Sequence, residues 1–409
     1  MSDEFQILKN KTGVLIYASV IEKEANAQIE LMAEHPAFKE LIAIMPDVHA
    51  GKGSVIGFTG KFKHSVVPYV IGVDIGCGVM TYELKAKGID FAWFDKMVRE
   101  NIPLGFNQRT GTNPTLAMMK LFSKAISFDD PAIVETCESA AEFLHLYCPQ
   151  KNEDPLKPYR QMASLGSGNH FIEIEKSVDT LDERLYLTVH SGSRNFGLQV
   201  ATHYQNQAKA LMQEMNLQVP TDMEYLPMSS GGREYLKMMA LAQEYAHYNR
   251  LGMINIILQN LKEEFDPARL TESVHNYISE KDSIVRKGAI SAHKGEKVVI
   301  PLNMGEGIIL GTGKGNPRYN YSAPHGAGRL YGRQDLFRKL KAGTGLFTME
   351  NYINSMLGIY TTSVCDKTFD EAPLAYKPFE SLMPFLGETI AIDSVAKPVY
   401  NLKASEEGQ

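Results

Sequence analysis

A carboxylate and a thiol lie three residues apart in the segment from Val73 to Gly78. Asp74 offers a hard oxygen ligand and Cys77 a soft sulfur, so this short loop could bind a metal ion through both. The two glycines of the segment allow the backbone a positive φ or a close approach to a ligand. The alternative is that Cys77 is an inert core thiol, since free cysteine is among the most buried residue types. The segment alone leaves both interpretations open.

Three histidines later in the chain could complete a metal centre. His170 and His190 each adjoin an apolar run and a loop of small residues, and His275 precedes a further strand-like region. With Asp74 and Cys77 they exceed the four positions of one tetrahedral ion, and a thiolate shared between two ions would accommodate all five. Thiolate and imidazole ligands favour zinc on affinity grounds. The alternative is that each histidine is individually buried and hydrogen-bonded.

Clustered glycines with Ser, Asn and Arg residues suggest phosphate chemistry, because such loops can present backbone N–H groups to anions. The clusters occur at 164–169, 305–315 and 322–329, and the chain contains neither GxxxxGK[ST] nor the KxDG of conventional nucleotidyl-transferring ligases. A covalently attached nucleotide would therefore need another nucleophile. His325, which lies in a glycine-rich loop close to Arg329, is the candidate. The alternative is a loop histidine that caps the helix following Arg329.

The elements that would position these residues follow from the apolar periodicity. Helical spacing occurs at 20–35, over most of 90–147, at 195–215 and at 233–262, and strand-like runs occur at 41–45, 66–73, 171–173, 185–190, 283–290 and 298–310. The run at 66–73 predicts a buried strand that places Asp74 and Cys77 at its end. The strands beside His170 and His190 predict ligands delivered to one edge of a sheet.

The candidate residues extend from 74 to 325, so a division into two domains would split the site. We therefore predict an α/β (mixed α+β) fold with a single large domain over residues 1–403. Central β-sheets would be surrounded by helices, with an active-site cleft at strand ends and glycine-rich loops. Residues 404–409 are predicted to be a disordered tail.

Composition excludes several classes of protein. The 409 residues are 44% hydrophobic and 22% charged, as in ordinary globular proteins. No apolar run reaches the length of a membrane span, and the N-terminus lacks the features of a signal peptide. Four cysteines without close CxxC spacing argue against a disulfide framework, so we predict a cytoplasmic protein with reduced thiols. The net charge of −6 argues against nonspecific coating of nucleic acid but allows one basic groove.

Six motifs together resemble the RtcB family of GTP-dependent RNA-splicing ligases, in the family's order and over nearly the whole chain. They are MPDVHAGKGS (45–54), GVDIGCG (72–78), GSGNHFIE (166–173), HSGSRNFG (190–197), HNY (275–277) and HGAGR (325–329). The resemblance implies that GTP guanylylates His325 and that the guanylyl group passes to an RNA 3′-phosphate, formed where necessary from a 2′,3′-cyclic phosphate. A 5′-hydroxyl then displaces GMP, in tRNA splicing or RNA repair. It also implies two Mn²⁺ ions in place of zinc, an activating protein as a further partner, and a monomer. The alternatives are a dinuclear metal-dependent phosphodiesterase or cyclic phosphatase without nucleotidyl transfer, and an RNA-binding protein without catalysis.

Carried over residue by residue, the resemblance assigns Asp74, Cys77 and His170 to one ion and Cys77, His190 and His275 to the other. Arg194 and Arg329 would neutralise phosphate charge, Asp47 would support the centre, and Glu173 would accept from the N–H edge of guanine. The expected nucleotide contacts are Asn169, His170, Phe171, Ile172, Glu173, His275, Asn276, Pro301, Leu302, Asn303, Met304, His325, Gly326, Ala327, Gly328, Tyr376 and Lys403. The chain departs from the family at Leu302 and Asn303, where many members have Gly-Ser, and at Ile308, where they have Ser.

Overall fold

The computed structural model describes residues 6–7, 13–18, 21–38, 40–109, 132–148, 154, 156–179, 183–343 and 345–404. The strands are β1 (Gln6–Ile7), β2 (Val14–Ile16), β3 (Ile42–His49), β4 (Ile56–Lys61), β5 (Ser65–Val66), β6 (Gly78–Leu84), β7 (Phe171–Ser177), β8 (Leu185–Ser191), β9 (Leu226–Pro227), β10 (Leu270–Val274), β11 (Asn276–Ser279), β12 (Ile284–Lys287), β13 (Ala289–Ser291), β14 (Lys297–Pro301), β15 (Ile308–Gly313), β16 (Ser322–Pro324), β17 (Tyr360–Thr361) and β18 (Ile390–Lys403). The α-helices are α1 (Lys23–Glu34), α2 (Pro68–Ile71), α3 (Phe91–Asn101), α4 (Ala132–Tyr147), α5 (Lys157–Gln161), α6 (Arg194–Glu214), α7 (Arg233–Asn260), α8 (Arg333–Ala342), α9 (Met349–Ser355) and α10 (Met383–Thr389).

An eight-stranded sheet carries most of the candidate residues. Its order is β10–β6–β8–β7–β18–β15–β14, with β17 beside β18. All of these pairings are antiparallel except that of β17 with β18. The two end strands approach each other, because the Val299 N–H of β14 donates to the Ser273 hydroxyl of β10 at 2.9 Å. The sheet is therefore nearly closed, as the mixed α/β prediction allowed.

A six-stranded sheet, in the order β1–β2–β3–β4–β12–β11, lies beside the site. Its strand β3 carries Asp47, whose side chain is fully buried. Strand β11 begins directly after His275, and β12 pairs with it antiparallel. The two sheets therefore both reach the region of the histidines.

Helix α7 passes through the core. From Tyr248 to Leu258 every residue is buried, which is the pattern of a helix packed on all sides and not of one with a solvent face. The buried stretch includes the polar residues Asn249 and Arg250. Such groups require hydrogen-bond partners in the interior, and these partners lie at the candidate site.

The predicted strand at 66–73 is wrong. The chain forms only the short strand β5 and then helix α2, which begins at Pro68, a residue that suits the first position of a helix. Asp74 and Cys77 therefore precede strand β6 instead of ending the predicted strand. The helices predicted at 20–35, 195–215 and 233–262 are confirmed as α1, α6 and α7.

The region at 90–147 contains α3 and α4, while residues 110–131 lie outside the described part of the chain. Of the predicted tail, Ala404 is buried and 405–409 lie outside the described residues. None of the helices in the described ranges combines the length and apolar composition needed to cross a membrane.

Candidate metal and nucleotide site

Strand pairing explains how distant ligands meet. Strands β7 and β8 are antiparallel with Phe171 opposite His190, so His170, just before β7, lies at the same sheet edge as His190. Strand β6 starts at this edge too, because Gly78 pairs with Ser191. The next strand in the sheet, β10, brings His275 there: its N–H donates to the Cys77 carbonyl at 2.9 Å. The predicted delivery of histidines to one edge is thus confirmed.

The five predicted ligands form two groups that share one residue. Potential ligand atoms of Cys77, His190 and His275 lie within 4.8 Å of one another, and so do those of Asp74, Cys77 and His170. The Cys77 Sγ is 3.2 Å from His190 Nε2 and 3.6 Å from His170 Nε2. Cys77 lies between the two groups, which is the position that a bridging thiolate requires.

Hydrogen bonds on the outer side of the histidine rings set their tautomers. The Nδ1 of His170 donates to the Leu165 carbonyl at 2.9 Å, and the Nδ1 of His190 donates to the Asn169 carbonyl at 3.1 Å. A neutral ring that donates through Nδ1 leaves Nε2 as a bare acceptor. The His170 Nε2 is only 3.3 Å from the Asp74 Oδ2, which is also an acceptor. A cation between these atoms would satisfy them, so the residues present fit a metal ion.

The protonation states of the ligands also fit. Burial lowers the pKa of His190 and His275 well below the ordinary value, which favours the neutral imidazole that metals bind. Burial raises the pKa of Asp74, but where Nε2 of His170 carries a proton, the hydrogen bond and charge of that ring outweigh burial and lower the pKa overall; a cation between the two groups would replace that proton. Burial, together with the charge of Asp74, raises the pKa of the Cys77 thiol. A bound cation reverses that preference, since a coordinating thiol loses its proton.

His325 lies next to the metal ligands, and Asp47 fixes its orientation. The Asp47 Oδ2 accepts from the His325 Nδ1 at 2.6 Å and from its backbone N–H at 3.1 Å. This leaves Nε2 of a neutral ring unprotonated. The rings of His325 and His275 have centroids 4.8 Å apart. His325 does not cap the following helix, which begins at Arg333 after Gly332.

The loop after His325 is built for close contact with strand β3. Gly328 has φ +74°, and a Cβ there would lie 2.4 Å from the Asp47 carbonyl oxygen. The ammonium of Lys377 donates to the carbonyls of Pro46 and Val48, on both sides of Asp47. His49 also lines the cleft beside this loop, and burial lowers its pKa to about 4. The backbone around the Asp47–His325 pair is thus held from two sides.

A cleft of about 1130 Å³ contains this site. It is lined by the candidate ligands Asp74, Cys77, His190 and His275, by Arg329, and by most of the predicted nucleotide contacts: Asn169, Phe171, Glu173, Asn276, Pro301, Leu302, Asn303, Met304, His325, Gly326, Ala327, Gly328, Tyr376 and Lys403. Its volume lies above the range of about 300–1,000 Å³ that is typical of pockets for one small ligand. There is therefore room for a second substrate group.

Four predicted site residues do not line the cleft: His170, Asp47, Ile172 and Arg194. His170 and Asp47 contact lining residues directly. The side chain of Ile172 is fully buried in the hydrophobic core, because strand residues alternate between faces and its neighbours Phe171 and Glu173 face the cleft. Arg194 lies behind the glycine-rich loop, where it donates to the Ser164 hydroxyl at 3.2 Å and the Gly105 carbonyl at 3.0 Å.

The departures from the family pattern lie in two different places. Asn303 lines the cleft, and its side chain closes its own turn by accepting from the N–H groups of Gly305 and Glu306. Ile308 is fully buried inside the nearly closed sheet, in a cluster with Val79 and Val299. Leu302 and Asn303 are therefore the departures that line the cleft, and Ile308 is not.

The buried carboxylate of Glu371, which the sequence did not indicate, organises the end of the cleft opposite the candidate metal ligands. The Glu371 Oε1 accepts from Arg329 at 3.1 Å and from Arg333 at 2.9 Å. Its Oε2 accepts from the Tyr376 hydroxyl at 2.6 Å and from Lys403 at 2.7 Å. Burial raises its pKa, but these cations lower it to about 2. The sequence signal was the acidic pair Asp370-Glu371 just before the predicted contact Tyr376.

Glu173 has a different environment. The Asn401 amide donates to its Oε1 at 2.5 Å. Burial raises the pKa of Glu173 to about 7, against the lowering effect of Asn401 and Lys403. A ligand with N–H donors would favour the ionised form of this carboxyl, because hydrogen bonds to a carboxylate stabilise its charge.

Sequence comparison places these motifs in a known family. The family model described as tRNA-splicing ligase RtcB matches residues 28–404. The chain is 30% identical to the RNA-splicing ligase RtcB of Escherichia coli (strain K12), covering 94% of this chain and 95% of that protein. It is 26% identical to the tRNA-splicing ligase RtcB of Thermococcus kodakarensis, covering 92% and 89%, and 24% identical to that of Methanococcus maripaludis, covering 88% and 87%. The match takes in every residue of the two ligand groups, the Asp47–His325 pair and Lys403, so the chain belongs to the RtcB family.

Proposed function

We propose that this protein is an RNA ligase that joins 3′-phosphate or 2′,3′-cyclic phosphate ends to 5′-hydroxyl ends, with GTP and two Mn²⁺ ions. Its relatives in Escherichia coli and Thermococcus kodakarensis are named as RNA- and tRNA-splicing ligases. The observation that carries the proposal is His325, whose Nδ1 is held by Asp47 beside two groups of candidate metal ligands.

Asp74, Cys77 and His170 would hold one Mn²⁺, and Cys77, His190 and His275 the other. When bound, these ions would supply charge that neutralises phosphate oxygens. Harder, oxygen-rich sites suit manganese better than this donor set does, but metal availability overrides affinity in selecting the ion.

In the first step the lone pair of His325 Nε2 attacks the α-phosphorus of GTP. A P–N bond forms, the bond to the bridging oxygen breaks, and pyrophosphate leaves with that oxygen's electron pair. The ring gains positive charge as it reacts, and the Asp47 carboxylate at Nδ1 stabilises that charge, as the aspartate of a catalytic triad stabilises its imidazolium. Asp47 is therefore the orienting group and His325 the nucleophile.

In the next steps an oxygen of the RNA 3′-phosphate attacks the same phosphorus, the P–N bond breaks, and His325 is regenerated. The product is RNA-3′-pp-G. The 5′-hydroxyl oxygen then attacks the RNA phosphorus, GMP leaves, and the hydroxyl proton is released. Arg329, at the cleft wall, and Arg194, behind the glycine-rich loop, supply positive charge near these phosphates.

Glu173 is proposed to accept from the guanine N–H edge, with Tyr376 and Lys403 on the guanosine side. Lys403 reaches this place through its bonds to Glu371 and to the Asn169 carbonyl at 3.4 Å. We further expect a monomeric cytoplasmic enzyme that acts on RNA ends from tRNA splicing or RNA repair, with an activating protein as a further partner.

Labelling with GTP tests the proposal. With Mn²⁺ and α-labelled GTP, the wild-type protein should acquire an acid-labile, alkali-stable label that maps to the peptide containing His325. His325→Ala should abolish it, whereas His293→Ala, whose ring stacks on Tyr321 and does not line the cleft, should keep it. Absence of label with Mn²⁺ and with other divalent ions would refute the proposal. Cleavage of cyclic phosphate that needs no GTP and survives His325→Ala would instead identify a metallophosphodiesterase.

A further inference from the structure

One buried guanidinium contacts the segments that carry three of the metal ligands. Arg250 of helix α7 is fully buried. Its Nη1 donates to the Gly76 carbonyl at 2.8 Å and to the Ser191 carbonyl at 2.6 Å. Gly76 and Ser191 are the direct neighbours of the ligands Cys77 and His190. A single nitrogen therefore ties together the backbones of two ligand segments.

The other edge of the guanidinium faces strand β10, which leads into His275. Its Nε and Nη2 donate to the Glu272 Oε1 at 2.9 and 2.7 Å. Burial raises the pKa of Glu272, but the charge of Arg250 and the contact with His247 lower it to about 2. Glu272 is therefore a carboxylate, and the ion pair fixes the position of β10 relative to the other two segments.

The preceding residue extends this arrangement to the fourth segment. The Asn249 side chain accepts from the Ser164 N–H at 3.0 Å and donates to the Ser164 carbonyl at 3.0 Å, at the start of the loop that leads to His170. It also lies 3.2 Å from the Gly192 carbonyl. Consecutive helix residues point about 100° apart, so one rigid helix reaches all four segments: both side chains contact the segment after His190, and Asn249 adds the loop that leads to His170.

Stability alone does not explain why a buried arginine occupies position 250. Buried ion pairs are often replaceable by apolar residues at little or no cost in stability. What an apolar residue cannot supply is the rigid, planar set of donors that spans several fixed acceptors. The acceptors here all lie within three residues of a ligand.

We propose that Arg250 is a positioning residue that sets the separation of the Cys77, His190 and His275 segments and thereby the affinity of the metal centre. This inference rests on the metal site of the proposed function. Loss of a group that orients metal ligands from behind typically lowers metal affinity by about 10–100-fold. We expect a loss of metal affinity in that range when the planar guanidinium of Arg250 is removed.

The test uses Arg250→Lys, which keeps the charge beside Glu272 but loses the planar fork. Arg286→Lys is the matched control: Arg286 is also fully buried and pairs with Asp282 at 2.8 Å, but its remaining bonds go to the side chains of Ser322 and Tyr277. Binding of Mn²⁺ is measured by calorimetry, and binding of Co²⁺ by its thiolate charge-transfer and d–d absorption. Neither readout depends on ligase activity.

Arg250→Lys should bind both ions at least about 10-fold more weakly than wild type, with a changed Co²⁺ spectrum, whereas Arg286→Lys should match wild type. Wild-type affinity in Arg250→Lys, or an equal loss in both variants, would overturn the proposal. If Arg250→Lys does not fold, Arg250→Met/Glu272→Gln, which removes both charges of the pair, takes its place under the same criteria. Failure of both to fold would make Arg250 a stability residue and also overturn it. Absence of metal binding by the wild type would refute the metal site itself.

Discussion

The carboxylate of Glu371 offers a prediction whose magnitude follows from its contacts. Glu371→Gln nearly preserves shape but replaces one acceptor oxygen by an NH₂ donor. In the wild type all the approximately four acceptor sites of the carboxylate are used by donors from Arg329, Arg333, Tyr376 and Lys403. The amide would present N–H groups to two of these donors. The change therefore leaves buried donors, including cations, without a partner.

The pKa gives the size of the effect. The pKa of Glu371 falls from an ordinary 4.5 to about 2, and the side chain is only 2% exposed. A pKa difference of one corresponds to about 1.4 kcal/mol. The folded protein therefore favours the ionised form of Glu371 over the protonated form by roughly 3 kcal/mol more than the unfolded chain does. Breaking a buried ion pair costs about 3–5 kcal/mol in other proteins, which is the same magnitude. We expect Glu371→Gln to lower the free energy of unfolding by roughly 3 kcal/mol at pH 7.

The sign of the pH dependence is fixed by the direction of the shift. A carboxyl whose pKa is lowered in the folded state stabilises the protein fully above its unfolded pKa of about 4.5, and this stabilisation is lost as the pH falls towards about 2. The deficit of Glu371→Gln should therefore shrink to roughly 1 kcal/mol at pH 3. A change in an uncharged packing contact would give the same deficit at both pH values.

Urea unfolding at pH 7 and pH 3 measures both quantities. The control is Glu350→Gln, an exposed residue of the first turn of α9, which should leave the unfolding free energy unchanged. A Glu371→Gln protein as stable as wild type at pH 7, or a deficit that does not decrease at pH 3, would refute the reasoning. Calorimetry should also show weaker GTP binding by this variant, because Tyr376, Lys403 and Arg329 lose their common anchor.

Two further predictions concern the metal centre. Cys77→Ala should disrupt both metal positions whereas Asp74→Ala should weaken mainly one, as measured by metal stoichiometry; equal, partial loss in both variants would count against a bridging thiolate. Gly192→Ala should lower metal affinity without altering any ligand, because its Cβ would lie 2.1 Å from the Asp74 Oδ1. The control is Gly332→Ala, since no atom lies within 4 Å of a Cβ at that position. Equal metal affinity in the two variants would show that Asp74 does not need its present position.

The sequence indicated which side chains would converge, and the fold brings all five into two groups, because residue types alone mark candidate metal ligands. Thiol, imidazole and carboxylate side chains are metal ligands wherever they converge, and the strands beside His170 and His190 indicated where convergence would occur. The apolar run at 66–73 misled because its composition does not distinguish a buried strand from a buried helix. Pro68 at the start of α2 was the available signal. The error moved the Asp74–Cys77 loop from the end of one strand to the start of another, without changing the sheet edge that it reaches.

The residues that hold the ligands in place could not be predicted in the same way. Arg250 bonds to carbonyls 174 and 59 residues away in sequence, and Glu371 bonds to side chains 42 and 32 residues away. In the sequence both are ordinary charged residues, one within a long helix and one at the end of a short 3-10 helix. Their roles depend on burial and on register, which only the folded chain specifies.

The two ends of the cleft differ in charge, and the net charge of the whole chain does not show this difference. At the end with the candidate metal ligands, burial lowers the pKa of His190 and His275, which favours their neutral form, and Asp74 and Cys77 offer acceptors to cations. At the other end Arg329, Arg333 and Lys403 face Asp370 and Glu371, which leaves a formal surplus of one positive charge. On the proposed function, a nucleoside triphosphate, which carries negative charge along its phosphates, would lie between this surplus and the ions held by the candidate metal ligands. His325 lies beside the metal ligands and four residues before Arg329, where the α-phosphorus would be exposed to both. A chain with a net charge of −6 can therefore bind an anionic substrate, because the local field of a cleft and not the total charge determines what is attracted.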